Sequence, residues 1–167
     1  MPDLVPRREA IRLLQADRRQ VERQLARLSS RQLTTAGVGG GEWSPKDLLG
    51  HLESWEEHAL AALDAWSRGE PAPIDRVLRI DGLTRVNADG VSRKSSRSVA
   101  KALSSSTATH DALLAAIRAV DDEDWCAPPT QRARRALGER LGQMLTGSGG
   151  DFRHDRAHLG DLRTFGG

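Results

Sequence analysis

The chain has 167 residues and a mass of 18.2 kDa, enough for one domain that buries roughly 70% of the surface its unfolded form exposes. Its 25 Lys and Arg face 23 Asp and Glu, and a net charge of +2 argues against a chain built to seek polyanions, so no nucleic-acid partner is expected. The single cysteine, Cys126, excludes an intrachain disulfide and a cysteine-based zinc framework. No run approaches the ~20 apolar residues that cross a bilayer, and the first residues lack the apolar core of a secretion signal. Residues 1–167 are therefore read as one cytoplasmic domain without a membrane partner.

Between Pro6 and Leu28 the residues Ile11, Leu14, Val21, Leu25 and Leu28 recur at helical spacings, which predicts a first helix with one buried stripe. The glycine-rich segment from Thr34 to Gly41 reads as a flexible connection. Ser44-Pro45-Lys46-Asp47 has the spacing of a capping box with proline in the first helical position, so a second helix starts there. Its stripe runs through Leu48, Leu52, Trp55, Ala59, Ala62 and Trp66 until Gly69 and the prolines at 71 and 73.

Residues 70–97 read as a long crossover carrying one brief helix between Arg76 and Val86. Ser98 caps a third helix whose stripe includes Val99, Leu103, Ser106, His110, Leu113, Leu114 and Ile117 and which ends in the acidic run before Trp125. After Pro128-Pro129 a last helical region spans about 133–163. Gly147, Gly149 and Gly150 each cost about 1 kcal/mol there relative to alanine. The helix either splits near Ser148, with Ser148 or Asp151 capping a short terminal helix, or uses these glycines for close contact. No strand alternation occurs, so the fold class is all-α, four main helices in a bundle.

Five histidines are distributed over these helices. His154 and His158 form an i, i+4 pair, which places two imidazoles on one helical face, and His51 of the second helix could supply a third. Three neutral imidazoles hold a divalent ion with positions left open, where bound water loses its proton near neutral pH. Two exposed histidines on an arginine-rich helix are the plain alternative. His58 lies about 10 Å from His51 along the helix axis, too far to share an ion, and is either pocket rim or solvated flank. His110 is either a hydrogen-bonded core residue or a base facing the cavity. Glu53, Glu56 and Glu57 read as a solvated face, although a carboxylate such as Glu57 beside a bound water can act as a base. Trp43, Trp55 and Trp66 read as packing residues, Trp55 having the best claim to a pocket wall. Cys126 has no histidine near it in sequence to activate it, and Arg132, Arg134, Arg135 and Arg140 read as a solvated basic face.

The words around the histidines carry more than their spacing. Trp43-Ser-Pro-Lys-Asp-Leu-Leu-Gly-His51-Leu-Glu-Ser-Trp55, followed by Phe152-Arg-His154-Asp-Arg-Ala-His158-Leu159, resembles the DinB/YfiT-like superfamily, and its first phrase is most similar to the ClbS/DfsB branch. The resemblance implies a four-helix bundle with a long crossover between its second and third helices. It also implies a divalent metal, zinc or nickel, on one histidine of the second helix and two of the last, positions that His51, His154 and His158 match. The implied activity is hydrolysis of an electrophilic small molecule or transfer of a low-molecular-weight thiol to it, in detoxification or self-resistance, with a homodimer as the assembly. By their helix positions Trp55, His58 and His110 are the candidates for the substrate pocket. Some members of the ClbS/DfsB branch lack the triad, so a metal-independent hydrolase remains an alternative, as does a bundle that sequesters a small molecule without turnover.

Overall fold

The computed structural model describes residues 4–166. Helix α1, Arg7–Ala26, starts after Pro6 and buries Ala10, Leu14, Val21 and Leu25. A single turn, α2 (Ser30–Leu33), is held by a capping box between Ser29 and Gln32. Glycine at 37, 39, 40 and 41 does not leave the next segment irregular: Val38–Gly40 forms a 3-10 turn whose Val38 is buried, with the Gly37 and Val38 amides both donating to the Trp43 carbonyl at 3.0 Å. Helix α3, Pro45–Ser67, starts on the expected box, in which the Asp47 amide donates to Ser44 Oγ while Asp47 Oδ2 accepts from the Ser44 amide.

The crossover is far more helical than its composition predicts. Helix α4 runs Pro73–Ser92, and Gly82 at φ 76° and ψ 164° kinks it without ending it, a conformation essentially confined to glycine. Helix α5, Val99–Ala119, is capped by Ser98 as expected, and the acidic run after it starts a new turn, α6 (Asp122–Cys126), on the side chain of Asp121. Trp125 of that turn is 1% exposed.

The last region is three pieces, not one helix: α7 (Leu137–Met144), α8 (His154–Ala157) and α9 (Leu159–Thr164). The split does fall at the glycines. Gly147 and Gly150 exchange backbone hydrogen bonds in a tight turn, and a Cβ on Gly147 would stand 2.4 Å from the Arg153 carbonyl oxygen. Neither Ser148 nor Asp151 caps the next helix; Arg153 occupies the N-cap position of α8 and makes no side-chain capping bond.

Helix α3 is central, packed on α5, α4 and α7, while α1 closes the bundle against α5, α8 and α9. Among the described residues there is no strand beyond the isolated Gly147–Gly150 bridge. Two apolar clusters form. One joins Leu14, Trp55, Ala59, Leu113, Ile117, Leu141 and Phe152; the other joins Val21, Leu25, Leu48, Leu52, Ala102, Leu159 and Leu162. Each fully buried Leu or Ile contributes about 1.5–3 kcal/mol. Between the clusters every wall of the bundle turns polar: Asp17 and Arg18 on α1, Glu53 and Glu56 on α3, Ser106 and His110 on α5, and Asp155 on α8 are all buried. The histidine triad sits at this belt.

Candidate metal centre

His51 lies in the second turn of α3 and is 5% exposed, where the Ser44 cap fixes the start of the helix and the apolar stripe turns this face inward. His154 opens α8, and His158 is the junction residue between α8 and α9, at φ −102° and ψ −2°. The helix thus breaks at His158, yet the pair keeps its one-turn spacing, with ring centroids 5.3 Å apart. The segment enters this geometry through Phe152, the one described non-glycine residue with positive φ, 61°. That conformation costs roughly 1–2 kcal/mol and is offset by burying the ring, 1% exposed and stacked on Trp125.

The three imidazoles converge. His51 Nε2 and His154 Nε2 are 3.1 Å apart, and one ring nitrogen from each of the three lies within 4.8 Å of the others. Two imidazole nitrogens bound to one tetrahedral zinc at about 2.0–2.1 Å would stand roughly 3.3 Å apart, so the observed spacing suits a shared ion. Burial, followed by the charge of His154 and His158, pushes the His51 pKa down to about 3. Burial and His158 lower that of His154 to about 4, and burial lowers that of His158. All three are therefore neutral at pH 7, the state in which imidazole binds a metal. Trp43 packs on His51 at 4.9 Å between ring centroids, and Trp55 stands edge-on to His154 at 6.5 Å. The donor set, its spacing and its neutrality fit a divalent cation. His51 Nδ1 is buried without a partner.

Beneath the triad lies a charged network that apolar periodicity does not reveal. Arg18 Nε donates to Asp155 Oδ2 at 2.5 Å, its Nη2 to Glu56 Oε1 at 2.9 Å and its Nη1 to Ser106 Oγ at 3.1 Å. Burial raises the Asp155 pKa, but the charge and hydrogen bonds of Arg18 outweigh it and hold the carboxyl below its ordinary value. Glu53 accepts from Ser105 at 2.6 Å and from Arg97 at 2.9 Å. Glu53 and Glu56, expected on a solvated face, are each 1% exposed, because α5 covers that side of α3 and Arg18 of α1 reaches in to Glu56. A signal for this is present in the sequence: Asp17 and Arg18 occupy the i+3 and i+4 positions after Leu14, where an apolar residue would continue the stripe.

The remaining candidates separate. His110 is 6% exposed with Nδ1 2.6 Å from Glu56 Oε1, which makes it a member of the buried network. Glu57, which has no evident partner in the sequence, accepts from Lys94 Nζ at 2.7 Å. Glu57 and His58 line a polar pocket of about 130 Å³ against α4, with Ser54, Asp89, Arg93 and Lys94. Burial lowers the His58 pKa. Trp55 is buried and donates from Nε1 to Asn87 Oδ1 of α4. Cys126 is exposed. Within the basic cluster Arg135 pairs with Glu139 and Arg140 with Asp75. A larger cavity, about 640 Å³, opens between α3 and α5 at the other end of the bundle, walled by Leu60, Leu63, Trp66, Ala116, Val120 and Leu137. Leu60 is nine residues beyond His51, about 13 Å along the axis, so this cavity is separate from the triad.

No described helix is long and apolar enough to cross a membrane. A comparison with curated protein sequences gave no match. Solved structures share the fold, two of them as follows. An uncharacterised protein from Escherichia coli UTI89 aligns with a TM-score of 0.81 at 13% identity, covering 96% of this chain and 92% of that one. The colibactin self-resistance protein ClbS, solved in complex with double-stranded DNA, aligns with a TM-score of 0.78 at 12% identity, covering 96% of this chain and 95% of its own. The family model of the DinB superfamily matches residues 13–160, a span that takes in α3 with His51 and both C-terminal histidines, and the chain therefore belongs to the DinB superfamily.

Proposed function

We propose that this chain binds one divalent cation, zinc or nickel, on His51, His154 and His158, and acts as a metal-dependent hydrolase or thiol S-transferase on an electrophilic small molecule in detoxification or self-resistance. The observation that carries the reading is the convergence of three neutral imidazoles, two of them with Nε2 atoms 3.1 Å apart. A bound cation would supply Lewis acidity and lower the pKa of water or of a thiol cosubstrate. The protein's own part is to hold the imidazoles neutral by burial and to wall them with Trp43 and Trp55. Glu53, Glu56 and Asp155 are engaged by Arg97, Arg18 and His110, whereas Glu57, paired with Lys94, and His58 line an open polar pocket.

The test is metal analysis of tag-free protein beside His51→Ala, His154→Ala and His158→Ala. The expected result is about one equivalent in the unaltered chain and loss in each variant, together with loss of turnover on electrophiles offered with water or thiol. Metal retained by all three variants would disprove the ligand set. No uptake even after reconstitution would leave the metal-independent, ClbS-like hydrolase or a binding protein.

A second reading, sequestration without turnover, is favoured by the separate apolar cavity, whose volume of about 640 Å³ lies in the range of small-molecule sites. A ligand recovered unchanged at one equivalent per chain would support it. Neither reading includes a nucleic-acid partner, although ClbS was solved with DNA, because the net charge is only +2 and Arg135 and Arg140 are paired with carboxylates.

A further inference from the structure

We propose that Asp17 and Arg18, adjacent on α1, form a double clamp that sets the position of His154 and His158 relative to His51. The inference rests on the metal reading above and adds the residues that make the site's geometry.

A four-residue helix cannot hold its own orientation, since helix formation is cooperative and short pieces are marginal. Helix α8 has that length, no side-chain cap, and the Gly147–Gly150 turn upstream. Something outside the segment must fix it. Arg153, immediately before His154, donates from Nε to Asp17 Oδ2 at 2.6 Å and from Nη2 to Asp17 Oδ1 at 3.1 Å. Asp155, immediately after His154, accepts from Arg18 at 2.5 Å and 3.4 Å. The two neighbours of one imidazole are therefore tied by ion pairs of opposite polarity to two consecutive residues of a twenty-residue helix. Forked pairs of this kind fix angle as well as distance.

The clamp also reaches the other half of the site. The same Arg18 guanidinium donates to Glu56 of α3, the helix that carries His51, and to Ser106 of α5. Glu56 is in turn 2.6 Å from His110 Nδ1. One buried cation thus touches three other helices, and the separation of His51 from His154 is set through it. Asp17 and Arg18 are 2% and 3% exposed, so these bonds are shielded from competing water. Neither residue hydrogen-bonds to an imidazole of the triad; both are positioning residues.

Three variants of graded severity test the clamp: Arg153→Lys, which keeps the charge and loses the fork; Asp17→Asn with Arg153→Gln, which leaves no charge unpaired; and Arg18→Lys. Each is stripped of metal and titrated with zinc against a chromophoric chelator, then loaded with cobalt(II) for its visible spectrum, with circular dichroism to follow the fold. The expected result is near-native helicity, a zinc dissociation constant raised about 10–100-fold, and a changed cobalt spectrum. Folded variants that bind zinc within about twofold of the unaltered chain, with its cobalt spectrum, would overturn the clamp and leave the metal site standing. No zinc uptake by the unaltered chain would overturn the metal reading and the clamp together. Loss of the fold in all three variants would also overturn it, since the residues would then serve folding alone.

Discussion

The two halves of α3 pack on the same central neighbour, α5, yet they bury different chemistry. From His51 to Glu56 the inward positions include an imidazole, two carboxylates and a hydroxyl; from Ala59 to Trp66 they are alanines and one indole. The apolar half is held by contact area, and the 640 Å³ cavity opens beside it against Leu60, Leu63 and Trp66. The polar half needs every group matched, because a buried charge without a partner costs several kcal/mol. A belt of this kind adds little net stability and much specificity of position, which suits the level of the bundle where three histidines meet. Glu56 shows the cost: one oxygen serves both Arg18 and His110 while Oε2 is buried with no partner.

The largest effect should come from breaking the belt. Glu56→Ala leaves Arg18 and His110 without their shared acceptor and should lower unfolding free energy by about 3–5 kcal/mol, read from urea midpoints. Leu113→Ala, at a fully buried position on the apolar side, should cost about 2–4 kcal/mol by leaving a void. The two variants differ where it matters: zinc affinity should fall in Glu56→Ala and stay unchanged in Leu113→Ala. Equal effects on zinc would mean that the two halves are not independent.

The same division separates what is legible in the sequence from what is not. Apolar stripes and caps are local signals, so α1, α3 and α5 can be placed to within a residue or two, and the spacing of His51, His154 and His158 is visible without any tertiary contact. The crossover misleads because its Pro, Gly, Asp, Asn and Ser content reads as irregular on either side of Arg76–Val86, whereas α4 runs from Pro73 to Ser92 and bends at Gly82 without ending. The belt is illegible for a deeper reason. Periodicity assigns charge to the outside, and a charged residue that interrupts a stripe, as Arg18 does after Leu14 or Glu56 after Leu52, looks like noise until the fold brings a partner such as Asp155, 137 residues away, to Arg18. His110 and Ser106, counted within the α5 stripe, join Asp17 and Arg18 after Leu14 as the local hints that this cross-section is polar.

An intermediate effect should appear with pH in metal-free protein. The folded-state pKa values of His51 and His154, about 3 and about 4, lie below the ordinary 6.5. Below about pH 6.5 the unfolded chain therefore takes up protons that the folded belt refuses, so stability is full above that pH and declines as pH falls towards about 4. Between about pH 7 and about pH 5 the loss should be about 2 kcal/mol for each of these imidazoles. His51→Gln should remove one such increment, whereas Leu113→Ala should shift the whole curve without changing its slope. A flat profile in the unaltered chain would show that the histidines are more hydrated than their burial indicates.

The smallest effect is expected where the same chemistry is exposed. Arg68, just past the end of α3, forks to Asp64 at 2.5 Å and Glu70 at 3.0 Å, with geometry as good as that of Arg18. Water and salt compete for all three groups, and long side chains lose rotamer freedom to meet, so such pairs contribute little. Arg68→Gln should leave the urea midpoint unchanged at about 0.15 M salt. A marked loss there would mean that geometry alone gives these pairs their strength; no loss, beside the collapse expected of Glu56→Ala, would assign the difference to burial.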